Sequence, residues 1–204
     1  MVHPRVLMTL VLAALVALGA LVLVASGRER AGAPAEPLSD ASGFAGAVLP
    51  KDVRAPHFDL LDQDGERVSM RALRGEPVIV TFLYTRCDET CPPQAQQIKG
   101  AMDRLGHDVP ALGIAVEPAS DTPESARKFL SKARMTGRME FVLGSEDELR
   151  PLWERYAIQP QLPDAEHQAR IVLVDPAGFQ RVAFPLEQAT PERIAHDLRV
   201  LEAG

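Results

Sequence analysis

The chain is poor in the residues that usually announce a specialised class. Two cysteines in 204 residues are too few for the disulfide-dense frameworks that hold small secreted domains together. Aromatic residues make up 5%, with a single Trp. No long run of Lys or Arg occurs, and 22 basic against 28 acidic side chains leave a formal charge of −6. Phosphate backbones are bound by a basic face, so this balance argues against a nucleic-acid partner. The low-hydrophobicity composition of a disordered tail is missing too, since 46% of the residues are hydrophobic. A chain of this length buries a real core without a metal or disulfide staple. Unusual chemistry therefore has to come from a few side chains.

Uncharged apolar runs are likewise scarce, with one exception. Residues 6–25, VLMTLVLAALVALGALVLVA, carry no charge and match the ~20 apolar residues that a spanning helix needs. The run is longer than the apolar region of a cleaved signal, although Ala25-Ser26-Gly27 offers small residues at which a signal is cut. No face of it is polar, unlike a surface helix of a soluble domain. It reads as a single-pass membrane anchor over residues 1–27. Arg5 precedes the span while Arg28 and Arg30 follow it, so flanking charge leaves the orientation open. From Arg28 to Ala47, 13 of 20 residues are Ala, Gly, Pro or Ser, the composition of a tether. A linker over 28–42 and one globular domain over 43–204 follow from this.

Within that domain strands alternate with helices. His57 to Val68 alternates around Asp64-Gly65, a strong hairpin signal. Pro77 to Tyr84 is nearly continuous in apolar and β-branched residues, as in a central strand covered on both faces. Ala111–Val116, Met139–Leu143 and Arg170–Val174 are further strands. Helices are predicted from Pro92 to about Leu105, after Thr122-Pro123-Glu124, and after Thr190-Pro191-Glu192. Ser145 and Glu148 form a capping-box pattern, but Pro151 falls six residues in, so that helix is expected to start late or to kink. Asp175-Pro-Ala-Gly178 turns into Gln180–Phe184 and closes a second hairpin. The order suggests an α/β fold, a mixed sheet flanked by helices in a thioredoxin-like layout.

Cys87-Asp-Glu-Thr-Cys91-Pro92 is the sharpest feature. It follows the most strand-like run and enters a helix, where residues four apart share a face. A helix amino terminus favours thiolate. Such a pair cycles with a disulfide, holds a soft metal such as Cu(I) or Zn, forms a static disulfide, or is simply two buried cysteines. Among the histidines, His3 precedes the apolar run, His57 opens a hairpin, His107 falls in a polar loop and His196 lies on the polar face of the last helix. His167 differs, because Gln159 to Gln168 is polar, broken by prolines and ends just before a strand. Loops at strand ends are where α/β folds gather functional groups.

Tyr84-Thr85-Arg86-Cys87-x3-Cys91-Pro92 resembles the motif of the Sco/SenC family of thioredoxin-like copper-binding proteins. Further matches follow in order: Phe58-x-Leu60-x-Asp62-Gln63-Asp64-Gly65, then Ile114-Ala-Val-Glu117-Pro118-x-x-Asp121-Thr122-Pro123. Glu166-His167 and Leu173-Val-Asp175-Pro-x-Gly178 complete the series. The likeness runs over about residues 43–201. It implies a membrane-anchored protein with its soluble domain in the periplasm or another extracytoplasmic space. It also implies copper, as Cu(I), Cu(II) or both, and ligands Cys87, Cys91 and His167. The implied partners are cytochrome c oxidase subunit II, whose binuclear copper centre the family helps to assemble, and a thiol reductant. Family members often have Pro and Asp after the first cysteine, where this chain has Asp88 and Glu89. Glu166 stands where Asp is common before the histidine. These acids keep the site hydrated or offer an oxygen, and hydration is the preferred reading.

The leading expectation is a copper metallochaperone. The alternative is a thiol–disulfide reductase in which Cys87, nearer the strand end, attacks and Cys91 resolves, with His167 dispensable. A peroxidase of the peroxiredoxin type is rejected, because Tyr84 and Val80 stand where its pattern requires Thr and Pro.

Overall fold

A computed structural model describes residues 42–160 and 169–204. The predicted anchor at 6–25, all but the last residue of the linker, and His167 lie outside the described residues. In chain order the elements are β1 (Ala47–Val48), β2 (Asp59–Leu61), β3 (Arg67–Ser69), β4 (Val78–Leu83) and α1 (Cys91–Leu105). Then come β5 (Ala111–Ala115), α2 (Pro123–Lys132), β6 (Glu140–Val142), α3 (Glu146–Arg155), β7 (Arg170–Val174), β8 (Gln180–Pro185) and α4 (Pro191–Ala203). Among the described residues no helix is long and apolar enough to cross a membrane.

Six strands form one mixed sheet in the order β1-β8-β7-β4-β5-β6, while β2 and β3 pair as a separate hairpin. All six residues of β4 are buried, which agrees with its unbroken apolar run. Each large apolar side chain buried there contributes roughly 1.5–3 kcal/mol. β4 runs parallel to β5 and antiparallel to β7. Alternate side chains of a strand point to opposite faces. Gln94 of α1 bonds Thr81, whereas Tyr156, just past α3, packs edge-on against Phe82 with ring centroids 5.3 Å apart. Helices α1 and α3 therefore cover opposite faces, and α4 packs on α1. The expected mixed sheet flanked by helices is the architecture observed.

Both predicted hairpins form. Gly65 and Gly178 take φ of +82° and +80°, a conformation that glycine adopts without penalty. The capping signals hold as well. Thr122 Oγ1 accepts the Ser125 amide at 3.2 Å, and the Ser145 amide donates to Glu148 Oε2 at 2.8 Å.

Pro151 corrects one expectation. α3 starts directly after Ser145 and runs through Pro151 to Arg155. The carbonyl that proline leaves without an amide belongs to Asp147, an exposed residue in the first turn, where solvent is available to replace the lost bond. Leu149, Leu152 and Trp153 hold the helix to the core, and Trp153 Nε1 donates to the Ala115 carbonyl at 2.9 Å.

The small-residue stretch past residue 42 packs into the fold. Phe44 and Ala45 are buried, and β1 pairs with β8. Buried Asp197 of α4 accepts the amides of Ala45 (2.6 Å) and Gly46 (2.9 Å). At Gly46 a side chain would run into Val182 and Phe184.

Candidate metal and thiol site

Parallel strands β4, β5 and β6 end at one edge of the sheet, and antiparallel β7 begins there. The loop from β4 to α1 carries both cysteines at this edge. The two do not share one helical turn, as their spacing suggested: Cys91 opens α1 and Cys87 precedes its N-cap residue, Thr90. They meet because residues 84–87 form a turn, with the Cys87 amide donating to the Tyr84 carbonyl at 3.2 Å.

The start of α1 explains the contact. A helix leaves its first amides without internal acceptors. Pro92 and Pro93 have none to offer, and the Gln94 amide reaches the Thr90 carbonyl at 3.1 Å. The Cys91 amide is left, and it donates to Cys87 Sγ at 3.1 Å. Thr90 Oγ1 lies 3.3 Å from the same sulfur. The sulfur thus occupies the place of a capping oxygen.

These contacts divide the two thiols. Hydrogen bonding to Cys91 lowers Cys87 most, Thr90, the Cys91 amide and Tyr84 add to this, and burial opposes it, leaving a pKa of about 4. Cys91 is driven far above the ordinary thiol range, first by Cys87 and then by burial. Burial also raises the Tyr84 phenol, with Cys87 adding to the effect. Both cysteines are free thiols. Cys91 is wholly inaccessible and Cys87 is 4% exposed, its surface opening into a cleft of about 730 Å³.

Two links tie this loop to the one leaving β5. The buried carboxylate of Asp121 accepts the Thr85 amide at 2.7 Å and the Glu117 amide at 3.1 Å. Burial raises its pKa to about 6 against the pull of these amides. Glu117 accepts from Arg86 and from Ser120 Oγ, and Arg86 holds its carboxyl below the usual range. A third link comes from Gln94, one turn into α1, whose Nε2 donates to the Arg170 carbonyl at 2.9 Å and to Thr81. These residues position the site. Asp121 lay within a quoted motif, but its two acceptor contacts are visible only once the loops meet.

The histidines not expected to take part have other surroundings. His107 pairs with Glu202 at 2.8 Å, and His196 Nε2 lies 3.1 Å from the Gly43 carbonyl. His57 is exposed ahead of β2. Asp88 and Glu89 are exposed, and Asp88 pairs with Lys132 at 3.5 Å. His167 and Glu166 lie outside the described residues, among which no group of three His, Cys, Asp or Glu gathers to hold a metal.

The SCO1/SenC family model matches residues 48–202. The chain belongs to the SCO1/SenC family. Protein SenC of Rhodobacter capsulatus is 30% identical over 149 residues, 68% of this chain and 66% of that protein, so the match spans just under two thirds of that relative. ScoI of Bradyrhizobium japonicum, whose structure was determined with copper bound, is 30% identical with a TM-score of 0.62. The match covers 72% of this chain and 99% of that one. BsSco, a member of the Sco family of cytochrome c oxidase assembly proteins in which a disulfide switch was identified, superposes with a TM-score of 0.67. At 24% identity it covers 78% and 97% of the two chains, and this likeness supports the Sco/SenC fold.

Proposed function

We propose that this Sco/SenC protein is a membrane-anchored copper chaperone that binds copper as cargo through Cys87, Cys91 and His167. The observation that carries this reading is the Cys87–Cys91 contact at the β4–α1 junction, where one thiol is held as thiolate beside a second. The donor set fits the cargo, because thiolates select Cu(I) over harder ions such as Mg²⁺ and Ca²⁺. The copper-bound ScoI structure, 30% identical to this chain, supports the same metal.

His167 as third ligand is supported by topology. Thr81 pairs with Ile171 across the sheet, so β7 begins beside the end of β4 from which the cysteine loop departs. His167 precedes Arg170 by three residues, a reach of about 10 Å at most. Asp88 and Glu89 serve to hydrate the site. Residues 6–25 anchor the chain, 28–42 link it, and 43–204 work on the extracytoplasmic side. There the proposed recipient is subunit II of cytochrome c oxidase, and a thiol reductant restores the cysteines. BsSco is named within a family of cytochrome c oxidase assembly proteins, which supports that oxidase, rather than any one of its subunits, as the destination.

The test is competition for Cu(I) against a chromogenic chelator without oxygen. The reduced protein should bind one Cu(I). Cys87→Ser or Cys91→Ser should abolish tight binding, and His167→Ala should weaken it or change the copper spectrum. Binding of both copper states by His167→Ala as in the parent would remove the histidine from the ligand set.

The division between the thiols favours a second reading, reduction of a partner disulfide. The Cys87 thiolate attacks one partner sulfur and forms a mixed disulfide, and the departing partner thiolate takes up a proton. Cys91 then gives up its proton and attacks the Cys87 sulfur, releasing the second partner thiol. Two electrons pass to the partner, and a Cys87–Cys91 disulfide remains. Reduction of an oxidised subunit II peptide without copper tests this, and no turnover would exclude it.

A further inference from the structure

The cleft onto which Cys87 opens has walls of contrasting character. One is the cysteine loop and the first turn of α1. The other is a stripe of α2, because Ser125, Lys128, Phe129 and Lys132 share a helical face and all line the cleft. Phe129 is buried and Pro92 half-buried, which gives the cleft an apolar floor. Lys128 and Lys132 stand on its rim and are exposed, as is Arg86, whose charge Glu117 already offsets. Asp88 is the single carboxylate among the lining residues. Its 3.5 Å pair with Lys132 joins two exposed side chains, an arrangement that water and salt screen heavily. Lys128 has no ion pair among the described residues. This rim belongs to a chain of net charge −6, so its sign is opposite to that of the molecule as a whole.

We propose that the cleft is a docking groove for a cysteine-bearing partner segment with carboxylates flanking its sulfur. The inference rests on the reading of Cys87 as the exchanging sulfur. Cys91 has no exposed surface, so a partner sulfur reaches the pair through this cleft. Its neighbouring side chains must then pass Lys128 and Lys132. Carboxylates there gain opposite charges over an apolar floor, whereas lysines or arginines are repelled. Charge complementarity of this kind acts mainly on the rate of encounter and the choice of partner. The overall negative charge turns an acidic partner away from other faces, so the basic rim also selects the docking orientation.

The experiment reacts the reduced full-length protein in detergent with two chromogenic disulfides, dianionic dithiobis(nitrobenzoate) and neutral dithiodipyridine. The parent is compared with the double variant Lys128→Glu/Lys132→Glu at low and high salt. The dianion should slow by about tenfold or more at low salt while the neutral probe stays within about twofold, and the gap should close in about 1 M salt. The neutral probe also reports that the variant is folded with Cys87 intact. Equal slowing of both probes, or of neither, overturns the groove while leaving Cys87 as the attacking thiol. Failure of the parent to react with either probe overturns the reading of Cys87 itself.

Discussion

Cys87 sits where a helix would otherwise carry a capping oxygen, and its reactivity follows from that position. Iodoacetamide should label the reduced protein at a rate that stays nearly flat from about pH 6 to pH 8, because a thiol with pKa about 4 is already ionised there. Cys87→Ser should abolish most labelling, since Cys91 is buried and strongly raised. A parent rate that climbs about tenfold per pH unit across this range would contradict the contact as described. Asp121 acts in the opposite sense. Burial raises it from 3.8 to about 6, so the folded chain holds its proton more tightly than the unfolded one. Its contribution is complete below about pH 4 and is lost as pH rises through about 6, roughly 3 kcal/mol in all. Cys87 pulls the other way over the same interval, so the comparison with a non-titrating variant isolates the effect. Relative to the parent, Asp121→Asn should gain about 2 kcal/mol of this between pH 4 and 6.5 in urea unfolding. A constant difference across the range would show that burial does not raise the carboxyl.

Among the elements, β4 and α1 set the geometry, and Gln94 locks them to β7. Gln94 is wholly buried and donates to Arg170 and Thr81. Gln94→Ala should therefore cost about 2–4 kcal/mol, through the cavity and the lost hydrogen bonds. Chemical denaturation measures this, and a change under about 0.5 kcal/mol would remove Gln94 as a lock. Much at this scale was legible from local signals. The apolar run of β4, the Cys-Pro-Pro start of α1, the Thr-Pro-Glu starts of α2 and α4, and the Asp-Gly hairpin each rest on neighbouring residues. What escaped depends on distant partners. β1 has two residues and exists because β8 offers an edge and Asp197 accepts the amides of Ala45 and Gly46 just before it. Pro151 looked like a breaker because sequence alone does not show how firmly Leu149, Leu152 and Trp153 hold the helix to the core. The contact between the cysteines was legible as a spacing, but its form, with sulfur accepting a helix amide from outside the helix, required the fold.

For the whole molecule, the sheet gathers three parallel strand ends and the start of β7 at one edge, so residues far apart in sequence supply a single site. Aromatic residues are few, and of the described ring pairs Phe82–Tyr156 works in packing, while Phe129 of the Phe129–Phe141 pair also lines the cleft beside Cys87. The negative charge of the chain and the basic rim beside Cys87 together favour an acidic partner at the proposed groove. The most direct measurement of the central claim is copper-edge X-ray absorption on the Cu(I)-loaded protein. The account predicts two sulfur neighbours and one imidazole nitrogen, with the nitrogen lost in His167→Ala and no stoichiometric copper retained by Cys87→Ser. A copper surrounded only by nitrogen and oxygen, or a spectrum unchanged by these substitutions, would contradict it.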